Sequence, residues 1–262
     1  MTPSPVALPL IGHEQIWQKL TSEPPFAALL FVGPSGIGKQ RLALELAAYW
    51  NCPQPQVCFA QAPSHGHIHS GISDRCSSCR RILKLQHPDV HLWRREEGKL
   101  SLGIGEMRDL IASSSSANYE GKLRFDLIDE AHCLTDEAQT SLLKTLEEPG
   151  RRQVLVLITD QGQSLLDTVR SRCRLHRFQP LSVERLAQVL GDRGEPADRA
   201  TLVANLCQGR VGAALRFLEQ PQLFAVQEEY LDIFLSLPGS SLWQSLQAAK
   251  AMEQLKMAGD EA

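Results

Sequence analysis

The sequence predicts an α/β protein built on a parallel sheet, and three observations carry that prediction. Short apolar runs without alternation, such as residues 27–32, are typical of strands buried on both faces. Segments with the apolar spacing of helices separate these runs, an order typical of a parallel sheet. A glycine-rich turn, residues 33–38, follows the first run and precedes a helical segment, as in a strand-loop-helix unit.

The composition excludes several classes of protein. The chain has 262 residues, of which 43% are hydrophobic and 22% are charged, so it can form a core and is not a disordered chain. Its net charge of -3 argues against strong independent binding of duplex DNA. The sequence has no apolar run of membrane-spanning length, and its first ten residues lack a secretory pattern, so we expect a cytoplasmic protein with reduced cysteines.

The predicted elements divide the chain into three regions. The strands are 27–32, 90–93, 124–129, 153–158 and 174–178, and the helices between them are 41–50, 105–112, 135–146 and 163–169. Helices at 183–190, 197–207 and 211–218 follow Pro180, with Gly209 as a C-cap, and two more are predicted at 224–237 and 242–257. We therefore expect an α/β domain over 1–179, a small helical lid over 180–219 and a helical segment over 220–262.

The glycine-rich turn has the residues of a phosphate-binding loop. Its members are Gly33, Pro34, Ser35, Gly36, Ile37, Gly38, Lys39 and Gln40. Backbone N–H groups of such a loop cradle phosphates, and Lys39 is placed to reach the terminal ones. The Ser or Thr hydroxyl that binds Mg²⁺ in this motif is replaced by the amide of Gln40. The loop therefore predicts weak binding of ATP or ADP, with doubtful Mg²⁺ binding.

Two carboxylates end the apolar strand that runs from 124. In phosphate-loop enzymes this position supplies the Mg²⁺ shell and the group that orients the attacking water, roles that here fall to Asp129 and Glu130. Thr159, which follows the strand 153–158, completes the candidate nucleotide site. Taken alone, the acidic pair could be two solvated turn residues, but together with the loop about ninety residues earlier it indicates a nucleotide site.

Four stretches together resemble the clamp-loader branch of the AAA+ ATPases. They are Gly33 to Lys39, Leu127 to His132, the run from Leu142 to Pro149 that reads Leu-Leu-Lys-Thr-Leu-Glu-Glu-Pro, and Arg170 to Arg174 with its Ser-Arg-Cys triplet. The resemblance covers about residues 8–220 and also includes His87-Pro88-Asp89.

The resemblance implies a subunit of the DNA polymerase III holoenzyme that helps to load a sliding clamp onto primed DNA. The implied partners are the gamma/tau ATPase and delta subunits, with the clamp and primed DNA reached through the complex. The resemblance further implies that Arg172 acts as an arginine finger in trans on the ATP of a neighbouring subunit.

The chain departs from the family pattern in three ways, and the first two favour a rigid stator over a motor. Gln40 is the first, and Gly212, which stands where motor subunits carry a sensing arginine, is the second. Arg210 lies two residues away on a different helix face. The third is length, because residues 220–262 are too few for a full collar domain, which is either truncated or reduced here. We therefore expect the chain alone to hydrolyse ATP negligibly.

A cysteine-bearing insertion lies between the predicted helix 41–50, which follows the phosphate-binding loop, and the predicted strand 90–93. Cys76 and Cys79 have the Cys-x-x-Cys spacing of a zinc half-site, and Cys52 and Cys58 complete a four-thiolate set. The family often carries a zinc module at this place, although Ser73 stands where its second cysteine occurs. The alternative ligands are His65, His67 and His69, and a set of unliganded thiols also remains open.

Two further functions compete with the stator. The first is an ATP-hydrolysing motor subunit of gamma/tau type, which Lys39, Asp129 and Glu130 support. The second is a zinc-dependent nucleic-acid binder, which the acidic charge balance disfavours.

Overall fold

The structure is a computed structural model that describes residues 11–59, 75–96, 98–114, 119–150 and 152–219. The chain divides into two compact units, 1–182 and 183–262. The alternative ligands His65, His67 and His69, the departure Ser73 and the helices expected after residue 220 lie outside the described residues. The boundaries expected at 179 and 219 remain predictions.

The first unit contains five strands and seven α-helices among its described residues. The strands are β1 (Ala28–Val32), β2 (Val90–Trp93), β3 (Arg124–Ile128), β4 (Gln153–Thr159) and β5 (Arg174–Arg177). The helices are α1 (Glu14–Ser22), α2 (Lys39–Asn51), α3 (Pro55–Cys58), α4 (Ser77–Leu83), α5 (Ile104–Ser114), α6 (Asp136–Glu147) and α7 (Asp167–Arg170). Within the described part of the chain, no helix has both the length and the apolar character that crossing a membrane requires.

All five strands are parallel and lie in the order β2-β3-β4-β1-β5. Strand β1 pairs on both sides, with Leu30 opposite Leu157 of β4 and Leu175 of β5. Because successive side chains of a strand point to opposite faces, β1 contributes to two cores. Leu29 and Phe31 pack on the side of α2 and α4, whereas Leu30 packs with residues of α5, α6 and α7. The parallel α/β sheet predicted from the apolar runs is confirmed.

The helix predicted over 163–169 is wrong. The structure has a 3₁₀ turn at Gly162–Ser164, an extended stretch and then the short helix α7. Leu166 is extended, with φ -56° and ψ 142°, and its N–H donates to Gln139 Oε1 of α6 at 2.7 Å. A tertiary hydrogen bond therefore replaces the local helical bond at this position, which residue spacing alone does not reveal.

The second unit begins with the three helices expected after Pro180. They are α8 (Val183–Gly191), α9 (Ala197–Leu206) and α10 (Val211–Glu219). Gln208 and Gly209 follow α9 with φ values of 49° and 75°, in the left-handed region that favours glycine. The chain thus turns sharply between α9 and α10, at the position where Gly209 is expected to end the helix.

A buried carboxylate anchors the loop that leads into β3. Asp89 is 3% exposed and accepts hydrogen bonds from the backbone N–H groups of Tyr119, Glu120 and Gly121 at 2.7, 2.9 and 2.6 Å. Burial alone would raise the pKa of Asp89, but these donors hold that pKa below its usual value. The loop is therefore held by an ionised side chain.

We expect Asp89→Asn to lower the free energy of unfolding by about 2–3 kcal/mol, because an amide cannot accept all three bonds. Chemical denaturation near neutral pH measures this loss. Since the pKa of Asp89 is lower in the folded state, its contribution is present above about pH 4 and is lost as the pH falls further. Equal unfolding free energies for the two proteins at pH 7 would contradict the anchoring role.

Candidate nucleotide loop and cysteine cluster

The phosphate loop joins the end of β1 to the start of α2. Gly36 and Gly38 have φ values of 74° and 96°, so the tight turn uses backbone conformations that favour glycine. A Cβ atom on Gly33 would lie 2.5 Å from the carbonyl oxygen of Phe178, so the close approach of the neighbouring chain also requires glycine here. No side chain caps the start of α2, which leaves its first N–H groups available for an anion.

Lys39 is bound to the loop itself. Its Nζ donates to the carbonyl oxygens of Gly33 at 2.5 Å and Pro34 at 2.7 Å, and the residue is 7% exposed. Burial lowers the pKa of Lys39, while the carboxylates of Asp160 and Asp129 oppose that shift. Since an ammonium group has three N–H donors, these two contacts leave one donor of Lys39 for a phosphate.

The other predicted nucleotide-site residues lie near this loop, because β3, β4 and β1 are neighbours whose carboxyl ends share one edge of the sheet. Asp129 Oδ1 accepts from the N–H of Glu130 at 3.0 Å, and burial raises the pKa of Asp129. Glu130 has a φ of 49° and lies 3.5 Å from Arg95 Nε. Thr159 is buried, and its Oγ1 accepts from the N–H of Gln161 at 3.0 Å. Gln40, half-buried in the first turn of α2, offers only its amide.

Two histidines of this region are not among the site residues predicted from the sequence. The Nε2 of buried His13 lies 2.6 Å from the carbonyl oxygen of Ile37, so that nitrogen carries the proton and donates to the loop. Burial lowers the pKa of His13, which favours the neutral ring. His132 Nδ1 lies 3.2 Å from Asp160 Oδ1 and 3.3 Å from Thr159 Oγ1. His132 and Asp160 adjoin predicted site residues in the sequence, whereas His13 gives no sequence signal.

The four predicted zinc ligands form a cluster. The Sγ atoms of Cys52, Cys58, Cys76 and Cys79 all lie within 4.8 Å of one another, and those of Cys52 and Cys76 are 3.9 Å apart. A tetrahedral zinc with Zn–S bonds of about 2.3 Å requires sulfur separations of about 3.8 Å. Burial raises the pKa of Cys52 to about 11 and also raises that of Cys79, so a cation is needed to hold these thiols as thiolates at neutral pH. The size and chemistry of the cluster fit one zinc ion.

A buried ion pair ties the cysteine cluster to α2. Arg75, directly before Cys76, donates to Glu45 Oε2 at 2.5 Å, and both side chains are almost fully buried. The guanidinium of Arg75 also lies 4.9 Å from the ring centre of Phe59, next to Cys58. Helix α2 thus carries the phosphate loop at its start and supports the cysteine cluster at its end.

The three arginines around the Ser-Arg-Cys triplet have different environments. Arg172 Nε donates to Glu147 Oε1 at 2.7 Å, and its Nη1 donates to the carbonyl oxygen of Thr168 at 2.8 Å. Arg170 pairs at 3.0 Å with Asp167, within α7. Arg174 pairs with Glu23, and its guanidinium lies 4.0 Å from the ring centre of Phe26.

Comparison with known proteins identifies the family. The family described as DNA polymerase III, delta subunit, matches residues 13–182. The chain is 32% identical to the DNA polymerase III subunit delta' of Escherichia coli K12 over 228 residues, covering 87% of this chain and 64% of that protein. It is 34% identical to subunit delta' of Bacillus subtilis 168 over 181 residues, covering 68% and 50%. The chain thus spans about one half to two thirds of the length of these relatives.

A more distant relative and a solved structure complete the comparison. The chain is 31% identical to subunit tau of E. coli K12 over 163 residues, covering 62% of this chain and 23% of that protein. Its fold is similar to the RuvB Holliday junction branch migration motor of Thermotoga maritima, with a TM-score of 0.52 and 16% identity over 92% of this chain and 70% of that one. This likeness confirms the predicted AAA+ fold. The family match over 13–182 and the identity to the two delta' subunits place the chain in the delta-prime family of DNA polymerase III clamp-loader subunits.

Proposed function

We propose that the chain acts as the stator of a clamp loader and lends Arg172 to the ATP site of a neighbouring subunit. The observation that carries this proposal is Gln40, which removes the Mg²⁺ hydroxyl from an otherwise complete phosphate loop. Without that hydroxyl, the charge neutralisation on which phosphoryl transfer depends is weakened. The two hydrogen bonds from Lys39 to loop carbonyls, which compete with phosphate for its donors, agree with weak nucleotide binding.

The proposed partners follow from the family. They are the gamma/tau ATPase and delta subunits, and through the complex the sliding clamp and primed DNA, in the cytoplasm. Arg172 suits a role in trans because its side chain is 34% exposed, and arginine keeps its charge and presents a planar fork to phosphate oxygens. One zinc ion bound by the four clustered cysteines would serve a structural purpose, since four thiolates leave no open coordination position.

A motor of gamma/tau type is the second candidate, because the loop, Asp129, Glu130 and Thr159 meet at one edge of the sheet. The ATPase rate of the pure chain separates the two candidates. We expect negligible steady-state hydrolysis, because the metal-binding hydroxyl is absent. The companion variant Gln40→Thr restores a hydroxyl at the metal-binding position and tests whether its absence limits hydrolysis. Lys39→Ala gives the background rate of the assay. Turnover comparable to that of a loader ATPase would rule out the stator, whereas weak nucleotide binding alone is compatible with it.

A further inference from the structure

The guanidinium of Arg172 is held from two directions. Its Nε and Nη2 groups both donate to the same oxygen, Oε1 of Glu147, and its Nη1 donates to the carbonyl oxygen of Thr168. Glu147 is the last residue of α6, and Thr168 lies in α7. Two helices of the α/β unit therefore fix the direction in which this side chain points.

The donors that remain are sufficient for a phosphate. A guanidinium has five N–H groups, and the contacts with Glu147 and Thr168 use one on each nitrogen. One N–H of Nη1 and one of Nη2 are therefore not used by these contacts. Bidentate binding of phosphate oxygens requires two donors of this kind. Glu147 and a phosphate can thus bind the same guanidinium together, without competing for one N–H group.

The exposure of the ion pair favours a role in orientation over a role in fold stability. The side chains of Arg172 and Glu147 are 34% and 50% exposed, and exposed pairs of this kind stabilise a fold very little. A long side chain that is already ordered, however, loses less conformational freedom when it binds. The two neighbouring arginines also make their contacts within the α/β unit. Arg170 pairs with Asp167 in α7, and Arg174 contacts Glu23 and the ring of Phe26.

We infer that Glu147 is a positioning residue, which holds Arg172 ready for the terminal phosphates of ATP bound to a neighbouring subunit. This inference rests on the proposed function of Arg172. Glu147 itself does not touch the nucleotide in this arrangement. Its carboxylate binds the Nε side of the guanidinium and so orients it, while the remaining Nη1 and Nη2 donors stay available to the phosphate.

The test uses the complete reconstituted loader and its ATPase rate in the presence of clamp and primed DNA. The variants are Glu147→Gln, Glu147→Asp, Arg172→Ala and the double variant Glu147→Gln with Arg172→Ala. The adjacent exposed carboxylate, changed in Glu148→Gln, is the matched control. We expect Glu147→Gln to lower kcat about fivefold, which corresponds to about 1 kcal/mol, with a smaller change in KM for ATP and normal assembly. Glu147→Asp should fall between Glu147→Gln and the wild type.

The double variant separates positioning from a general structural effect. If Glu147 acts through the arginine, its loss adds nothing once Arg172 is alanine. The inference is overturned if Glu147→Gln lowers the rate equally with Arg172 present and with alanine in its place, or if Glu147→Gln has the wild-type rate. A rate above wild type also overturns it, because Glu147 would then hold the arginine back. A wild-type rate for Arg172→Ala would instead overturn the proposed function itself.

Discussion

Arg172→Ala should reduce the clamp- and DNA-stimulated ATPase of the reconstituted loader, together with clamp loading, while the complex still assembles. An arginine supplied in trans to a phosphoryl-transfer site contributes about 10³ to 10⁵ in rate. The fall measured for the whole loader should be smaller, because the proposed ring has several ATP sites and this subunit would face one of them. We expect the hydrolysis rate to fall at least tenfold at the ATP site next to Arg172, measured in a loader whose other ATP sites are inactivated by mutation.

Two companion variants make this result specific. Arg172→Lys keeps the positive charge but loses the planar fork, so its rate should stay close to that of the alanine variant. Arg170→Ala removes a partly exposed arginine of the same segment, whose ion-pair partner Asp167 lies in the same helix, and should leave the rate unchanged. Size-exclusion chromatography of each complex separates a catalytic defect from failed assembly. If the Arg172→Ala complex assembles and hydrolyses ATP at the wild-type rate, Arg172 is not an arginine finger.

The purified chain should contain about one zinc ion, and Cys76→Ser should remove it and lower thermal stability. A ligand that binds the folded state at 100 times its Kd stabilises that state by about 2.7 kcal/mol, so we expect a loss of about 3 kcal/mol. The loss is structural, because Cys52, Cys58, Cys76 and Cys79 join the end of α2 to α3 and α4. Elemental analysis and thermal unfolding with and without a chelator measure both effects.

Cys133→Ser is the control for this experiment, since Cys133 lies outside the cysteine cluster. It should keep the zinc content and most of the stability. Protein prepared without chelator that contains no zinc would contradict the prediction, as would a Cys76→Ser variant that retains both metal and stability.

The parts of the site that lie close together in the sequence could be predicted from it. Gly33 to Lys39 follows an apolar strand, and that local context determines the loop, because glycine is required at the turn and where Gly33 approaches Phe178. Asp129 and Glu130 could be predicted for the same reason. The four clustered cysteines were predictable from ligand type, although Cys58 departs from the family spacing.

The interactions between distant residues could not be predicted. Arg172 and Glu147 are 25 residues apart, and His13 and Ile37 are 24 apart, so no local pattern connects them. The helix predicted over 163–169 failed for a similar reason, because the side chain of Gln139 takes the N–H of Leu166. In each case a side chain from another element decides the geometry.

The order of the strands has a consequence for the synthesis of this chain on the ribosome. Strand β1 is made early, but both of its partners, β4 and β5, lie more than 120 residues later. The buried residues Leu29, Leu30 and Phe31 therefore have no strand to pair with until β4, which ends at Thr159, has left the exit tunnel. Contacts of such long sequence separation form slowly, and unpaired apolar strands are prone to aggregate. We expect nascent chains that end before β4 to depend on chaperones, and longer ones to pair β1 with β4 on release.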